Sequence, residues 1–156
     1  MRTELKYLLA AMLVTAAASS ALAQVKVTDA WVRATVARQS ATGAFMRLDS
    51  PTDARLIAVT TPVAGTVEMH RMSMAGDVMR MSPVTAIDIP AGKGVSLQPG
   101  GYHLMLINLK TQIEAGAMIP LTLVIEDQYH RRMSVEVRAT ARPLNAGNAM
   151  GAMPGK

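Results

Sequence analysis

The chain has 156 residues, no cysteine, 13 methionines and a formal net charge of +5. This length fits one domain of modest size, and the lack of cysteine excludes disulfides, thiolate zinc sites, iron–sulfur clusters and a cysteine nucleophile. Aromatic residues make up only 3% of the chain, so the stacking platforms of nucleic-acid-binding domains are missing and no nucleic-acid partner is expected. The methionine content is the unusual feature of the composition.

The first 23 residues have the pattern of a secretory signal peptide. Arg2 and Lys6 precede a short apolar run at 8–14, and small residues follow up to Ala23. A basic start, a short apolar stretch and an Ala-x-Ala end describe such a peptide. A membrane anchor is the alternative, but the run is too short to cross about 30 Å of hydrocarbon comfortably. We expect cleavage after Ala23 and, without a cysteine to carry a lipid, a soluble protein of the bacterial periplasm with no membrane span.

From residue 24 onward, short apolar runs separated by Gly, Pro, Asp and Asn predict β-strands. Ten strands are predicted, at 30–35, 43–48, 56–60, 66–74, 78–81, 86–89, 94–97, 103–109, 119–126 and 133–139. Many short strands with turns every 8–12 residues are typical of an antiparallel sandwich or barrel, which we place at residues 24–142. The composition then shifts to Asn, Gly, Ala, Met and Pro, so residues 143–156, with Met150 and Met153, are predicted to be a flexible tail.

The segment 68–81 contains one histidine and five methionines. If Ala75 and Gly76 form the centre of a hairpin turn, His70 lies opposite Met81 and Met72 lies opposite Met79, with the members of each pair on the same side of the sheet. Period-two alternation then places all four side chains on one face. This pairing depends on the position of the turn, because a turn centred one residue later changes the register.

A second segment, 100–107, contains His103 and Met105, which share one face of a strand while Leu104 and Leu106 enter the core. The two segments together offer two imidazoles and two thioethers. A thioether is a neutral, soft donor that suits Cu(I) and is poor for zinc, magnesium or calcium. Blue-copper electron transfer needs a cysteine thiolate, so this donor set predicts the holding of Cu(I) without redox cycling.

Packing is the alternative explanation for the methionines and histidines. Met46, Met118 and Met133 are predicted to fill the core, which is the commoner role of methionine in a sandwich. His130 lies in a loop-like segment and is predicted to be a surface or hydrogen-bonded side chain. Two histidines, each in a local His-x-Met and next to a methionine-rich hairpin, favour the metal site.

The spacing of these residues resembles a known signature. His70, ten residues, Met81, twenty-one residues, His103, one residue and Met105 is similar to the pattern of the periplasmic copper chaperones called PCuAC, the former DUF461 group. The similarity extends to residues 29–35, 42–46, 89–92 and 99–106, and covers roughly residues 25 to 140.

The resemblance implies an immunoglobulin- or cupredoxin-like β-sandwich with an exposed Cu(I) site at one edge. It implies four metal ligands, namely His70, Met81, His103 and Met105. It also implies copper transfer toward the dinuclear copper centre of cytochrome c oxidase, in its subunit II, alongside a Sco-type thiol protein. Met72 and Met79 are expected to be auxiliary donors or packing residues, and Trp31 and Phe45 to be core residues.

The functional hypothesis is therefore a non-enzymatic, periplasmic Cu(I) metallochaperone. The alternative is a storage or resistance protein that sequesters Cu(I) without a delivery partner. An enzyme is disfavoured because the chain lacks a Gly-x-Ser-x-Gly elbow, a His-Glu-x-x-His motif and a cysteine nucleophile. Some relatives carry tails rich in His and Met, but the tail here has no histidine, so a second site for Cu(II) is not expected. Weak capture of Cu(I) by Met150 and Met153 and an inert tail are the two alternatives.

Overall fold

The computed structural model describes residues 24–145. The predicted signal peptide, residues 1–23, and the part of the predicted tail from 146 to 156, with Met150 and Met153, lie outside this range. The described chain forms ten strands: β1 Lys26–Arg33, β2 Ala41–Asp49, β3 Ala54–Thr60, β4 Ala64–Ala75, β5 Val78–Val84, β6 Ile87–Ile89, β7 Val95–Leu97, β8 Tyr102–Leu109, β9 Met118–Asp127 and β10 Arg132–Arg142. Within residues 24–145, no helix is long and apolar enough to cross a membrane.

The strands follow one continuous hydrogen-bonded order, β5-β4-β8-β7-β2-β1-β10-β9-β3-β6, with an extra pairing of β8 and β2. A single cluster of buried apolar side chains receives residues from both halves of this order. The sheet therefore folds back on itself and encloses one core between its two halves, as in a sandwich. The predicted all-β sandwich is confirmed, and each of the ten predicted strands overlaps an observed one.

The sequence analysis predicted an antiparallel sheet, but two of the observed pairings are parallel. Strands β1 and β10 pair in parallel, with Trp31 opposite Thr140 and Arg33 opposite Arg142, and β7 meets β8 in parallel at a single position. A short hairpin loop imposes antiparallel pairing, whereas parallel strands need a long connection. Strands β1 and β10 are the first and last of the described chain, so no turn constrains their direction.

Alternation along the strands decides which methionines enter the core. Met46 is 3% exposed and Met69 is 8% exposed, and both belong to the core cluster. Met118 was predicted to be a core residue, but it is 51% exposed. Strand β9 turns its odd-numbered residues, from Ile119 to Ile125, inward, so an even-numbered residue at its start must face solvent.

Strand β8 fixes the orientation of the two predicted ligands that it carries. Leu104 and Leu106 are fully buried in the core, as predicted. Because successive side chains of a strand point to opposite faces, His103 and Met105 lie on the outer face of the sandwich. The core side of β8 thus anchors the strand, and the outer side presents the histidine and the methionine.

Candidate metal centre

The hairpin between β4 and β5 turns one residue later than predicted. Its two-residue loop is Gly76 and Asp77, and the glycine has φ of +65°. A positive φ at the first loop position is what a type II′ hairpin turn requires, and glycine adopts it without steric cost. The pairs observed next to the loop are Met72 with Met81 and Met74 with Met79.

The predicted pairs are therefore wrong, since His70 lies opposite Pro83 and not opposite Met81. The error is a shift of two residues. Only an odd shift moves a side chain to the other face of a sheet. The face was predicted correctly: His70, Met72, Met79 and Met81 share it, and Met74 joins them.

The pairing of β4 with β8 brings the two histidines together. His70 lies directly opposite His103, and Glu68 lies opposite Met105. The two imidazole centroids are 5.7 Å apart, with the rings edge to face. The hairpin then folds Met81 toward the same point, so that its Sδ lies 3.2 Å from Nε2 of His103. Residues from three strands therefore meet on one face.

An open cavity of about 350 Å³ lies over this point. Its lining includes Met81, His103 and Met105, together with Met72 and Arg33. His70 is not among the lining residues and lies beside His103. His103 is only 7% exposed, whereas Met81 is 51% exposed. The imidazole thus forms the floor of the cavity and the thioether forms its rim.

Hydrogen bonds fix which nitrogen of each imidazole is free. Nδ1 of His103 lies 3.2 Å from the carbonyl oxygen of Gly101, and Nε2 of His70 lies 2.8 Å from a carboxylate oxygen of Glu68. Both oxygens can only accept, so each of these nitrogens donates its proton. The neutral rings therefore keep a lone pair on Nε2 of His103 and on Nδ1 of His70.

The free nitrogens have the environment of metal-ligating histidines. Nδ1 of His70 is buried and has no hydrogen-bond partner, which is costly for a polar atom inside a protein. Nε2 of His103 faces the Met81 sulfur, which has no proton to share. Histidines that bind metals usually donate their other ring N–H to a carboxylate or a backbone carbonyl, and both histidines do so here.

The donor set fits a soft ion. Nitrogen and sulfur ligands of a tetrahedral d10 ion, at about 2.0 and 2.3 Å in zinc sites, stand about 3.5 Å apart. The observed 3.2 Å between Nε2 of His103 and Sδ of Met81 is close to this spacing. Among residues 24–145, no group of three His, Cys, Asp or Glu side chains is placed to hold a metal. Because the nitrogen stands beside a thioether sulfur, the arrangement suits a soft ion.

Phe45 and Trp31 were both predicted to be core residues. Phe45 is buried but lies on the outer face beside the candidate metal centre, and the half-buried Trp31 packs against it. Phe45 is 5% exposed but lies outside the core cluster, with its ring 6.4 Å from that of His103 and 4.4 Å from that of Trp31. Ala44 and Met46 point inward, so Phe45 must point outward. A Cβ at Gly43 would lie 2.9 Å from the Phe45 ring, so glycine leaves room for it.

A separate polar cluster contains the third histidine. His130 is exposed, as predicted, and its Nδ1 lies 3.2 Å from a carboxylate oxygen of Glu126. The buried Glu126 also accepts hydrogen bonds from Arg55, at 2.6 Å, and from Arg132. These bonds, that of Arg55 above all, hold the pKa of Glu126 below its ordinary value. The cluster lines a different cavity, which shares no lining residue with that of the candidate metal centre.

This cluster predicts a loss of stability in acid. A carboxyl group whose folded-state pKa is lowered stabilises the fold above its unfolded pKa, and this contribution disappears as the pH falls through the folded-state pKa. For Glu126 the loss begins below about 4.5. We expect Glu126→Gln to destabilise the protein at pH 7 and to flatten the acid limb of a urea-denaturation pH profile. The same change at exposed Glu136 serves as the control, and equal acid limbs for both variants would contradict the assignment.

Comparison with known proteins shows to which family the chain belongs. The model of the family described as "Putative lipoprotein LpqE-like" matches residues 25–139. The chain belongs to the LpqE-like family. A protein of Leifsonia xyli subsp. xyli, also described as a lipoprotein, is 30% identical to this LpqE-like chain over 115 residues, which cover 73% of the chain and 69% of the relative.

Solved structures share the fold of the LpqE-like chain. The copper-bound PCuAC domain from PmoF2 has a TM-score of 0.62 at 22% identity, covering 76% of this chain and 92% of that one. The Cu(I) form of the DR1885 protein from Deinococcus radiodurans has a TM-score of 0.53 at 31% identity, covering 80% and 83%. The predicted resemblance to the PCuAC group is confirmed.

Proposed function

We propose that this protein is a copper-binding metallochaperone that carries Cu(I) as cargo on His70, Met81, His103 and Met105. The observation that carries the proposal is the approach of the free Nε2 of His103 to the Met81 sulfur, at 3.2 Å. The His70 ring, whose Nδ1 is buried and has no hydrogen-bond partner, lies with its centroid 5.7 Å from that of His103 and offers a second nitrogen. The solved relatives support the ion, because one is described as copper-bound and the other as a Cu(I) form.

The arrangement suits holding and release. All four donors are uncharged, so they leave the positive charge of the ion in place and favour a monovalent over a divalent cation. Met81 is 51% exposed and lies on edge strand β5, whereas His103 is buried. An incoming thiolate from a partner can therefore displace the outer thioether first and the histidine last. No covalent bond of a substrate is made or broken, and the protein acts as a carrier and not as an enzyme.

The identity of the ligands can be tested by X-ray absorption on the Cu(I)-loaded protein. The proposed set predicts two nitrogen and two sulfur neighbours. A shell with oxygen or nitrogen donors alone would refute the proposal, because it would leave both thioethers unused.

For the destination of the copper, we propose the dinuclear centre in subunit II of cytochrome c oxidase, reached in the periplasm with a Sco-type thiol protein. The motivating feature is the set of neutral, partly exposed donors, which yields its ion to thiolates. A deletion strain should lose oxidase activity at low copper and regain it with the wild-type gene. Copper sensitivity at high copper alone, with normal oxidase, would instead indicate storage.

Glu68 is predicted to tune the affinity through His70. It accepts the N–H of Nε2 at 2.8 Å, and partners of this kind change metal affinity by about 10- to 100-fold. The Glu68 side chain is 48% exposed, so we expect Glu68→Ala to weaken Cu(I) binding by about tenfold, at the low end of that range. The measurement is a competition titration against a Cu(I) chelator. Glu136→Ala is the matched control, and equal affinities for both variants would contradict the role.

A further inference from the structure

We propose that Met72, Met74 and Met79 form a second, weaker site for a soft monovalent ion at the tip of the β4–β5 hairpin. This site lies beside the centre described above and uses none of its four ligands. It would receive the ion from solution or from a donor before the ion reaches His103. The inference rests on the proposed function only in assuming that both sites take Cu(I).

The register places the three sulfurs on one face. Met74 lies directly opposite Met79, and Met72 lies opposite Met81 one pair further from the loop. Directly opposed residues have Cβ atoms about 4.5–5.5 Å apart, and diagonal neighbours about 7–8 Å apart remain within reach of long side chains. Methionine has three rotatable bonds, so these three side chains can converge on one ion.

The exposure of the hairpin calls for an explanation beyond packing. Met74 is 62% exposed, Met79 46% and Met81 51%, and Val78 beside the loop is 58% exposed. Large apolar side chains concentrated at one exposed place usually mark a binding surface. Four of the eight exposed large apolar residues of the described chain lie on this hairpin, and three of those four are thioethers.

The chemistry of the three donors favours a soft metal ion over a hard one. Soft, uncharged thioethers select Cu(I) among biological ions, and Ag(I) is a soft monovalent substitute that does not oxidise in air. The one acidic residue of the tip, Asp77, lies in the loop and outside the paired strands that carry the three methionines. The tip lacks an imidazole on this face and is more exposed than His103, so it should bind the ion more weakly than the inner centre.

The position of Met72 connects the two sites. Met72 lines the same cavity as Met81 and His103, and it is opposed to Met81 in the sheet. Successive pairs on one face are about 7 Å apart along a strand. An ion at the tip can therefore exchange Met74 and Met79 for Met81 and His103 in a short step, without leaving a thioether environment.

The test is a titration of the full chain with Ag(I), followed by NMR of methionines labelled at the methyl carbon. We expect a first equivalent to shift the Met81 and Met105 methyls, and a second, weaker equivalent to shift those of Met72, Met74 and Met79. The variant Met74→Leu, Met79→Leu keeps the apolar surface and should lose the second equivalent while the first is unchanged. Met118→Leu removes an equally exposed thioether on β9 and is the control.

Two results would overturn the inference. The first is saturation of the wild-type protein at one equivalent that shifts the Met81 and Met105 methyls and leaves those of Met74 and Met79 unshifted. The second is retention of the second equivalent by the double leucine variant, which would place that ion on donors other than Met74 and Met79. The variant His103→Ala, Met105→Ala separates this inference from the proposed function: it should lose the tight equivalent and keep the weak one. If wild type binds only at the tip, the carrier centre is refuted and the tip site stands.

Discussion

Replacing His103 and Met105 with alanine should lower the affinity for Cu(I) by at least about a hundredfold. The reason is that Nε2 of His103 contacts the Met81 sulfur, and Met105 lies on the same face two residues along β8. Loss of a partner that merely orients a ligand costs about 10- to 100-fold, so loss of two direct donors should cost at least as much. The measurement is a competition titration with a Cu(I) chelator under anaerobic conditions.

Matched variants keep this experiment specific. His130→Ala removes an exposed histidine of the Glu126 cluster, and Met118→Leu removes an exposed methionine of β9. Both should leave the Cu(I) affinity unchanged. If the double alanine variant is folded and binds as tightly as wild type, the ligand assignment is wrong.

Replacing Leu104 with alanine should have the largest effect on stability. Leu104 is fully buried between the two proposed ligands and points into the core. Leucine-to-alanine changes at such positions cost about 2–5 kcal/mol, because apolar contact is lost and a cavity remains. Urea denaturation of the metal-free protein should show this loss. The exposed Leu144, in the chain after β10, is the control, and Leu144→Ala should change the free energy of unfolding by less than about 0.5 kcal/mol.

The same variant also tests whether the core packing of β8 affects the proposed metal centre. If Leu104 acts only as an anchor, the folded fraction of Leu104→Ala should bind Cu(I) with nearly unchanged affinity. A stability equal to that of wild type would contradict the placement of Leu104 in the core.

The strands were predictable because their signals are local. Turn residues separate the apolar runs, and alternation within β8 identified both the buried leucines and the outward His103 and Met105. The common face of His70, Met72, Met79 and Met81 was also predictable, because period-two alternation survives an even change of register. The pairs themselves were not, because Gly76 can occupy either of two turn positions, and only the observed φ and register select Gly76 with Asp77 as the loop.

Other features could be identified only from the three-dimensional structure. Phe45 lies in the apolar run 44–46, where alternation gives no hint of which residue faces out. The parallel pairing of β1 with β10 joins the two ends of the described chain, and no local pattern encodes it. The partner of His70 did have a signal, since Glu68 precedes it by two residues and must share its face. The ring nitrogen of each histidine that is free to bind a metal could be identified only from the observed hydrogen bonds.

The side-by-side, same-direction arrangement of β1 and β10 also determines how the molecule can be attached to something else. Arg33, which borders the cavity, is level with Arg142 at the end of β10, whereas the chain enters β1 at Lys26, about 20 Å away along the strand. A tether or fusion partner joined ahead of Lys26 is therefore attached at the end of β1 that lies away from this cavity. A protein immobilised through that end would keep the cavity beside Arg33 accessible to a second molecule.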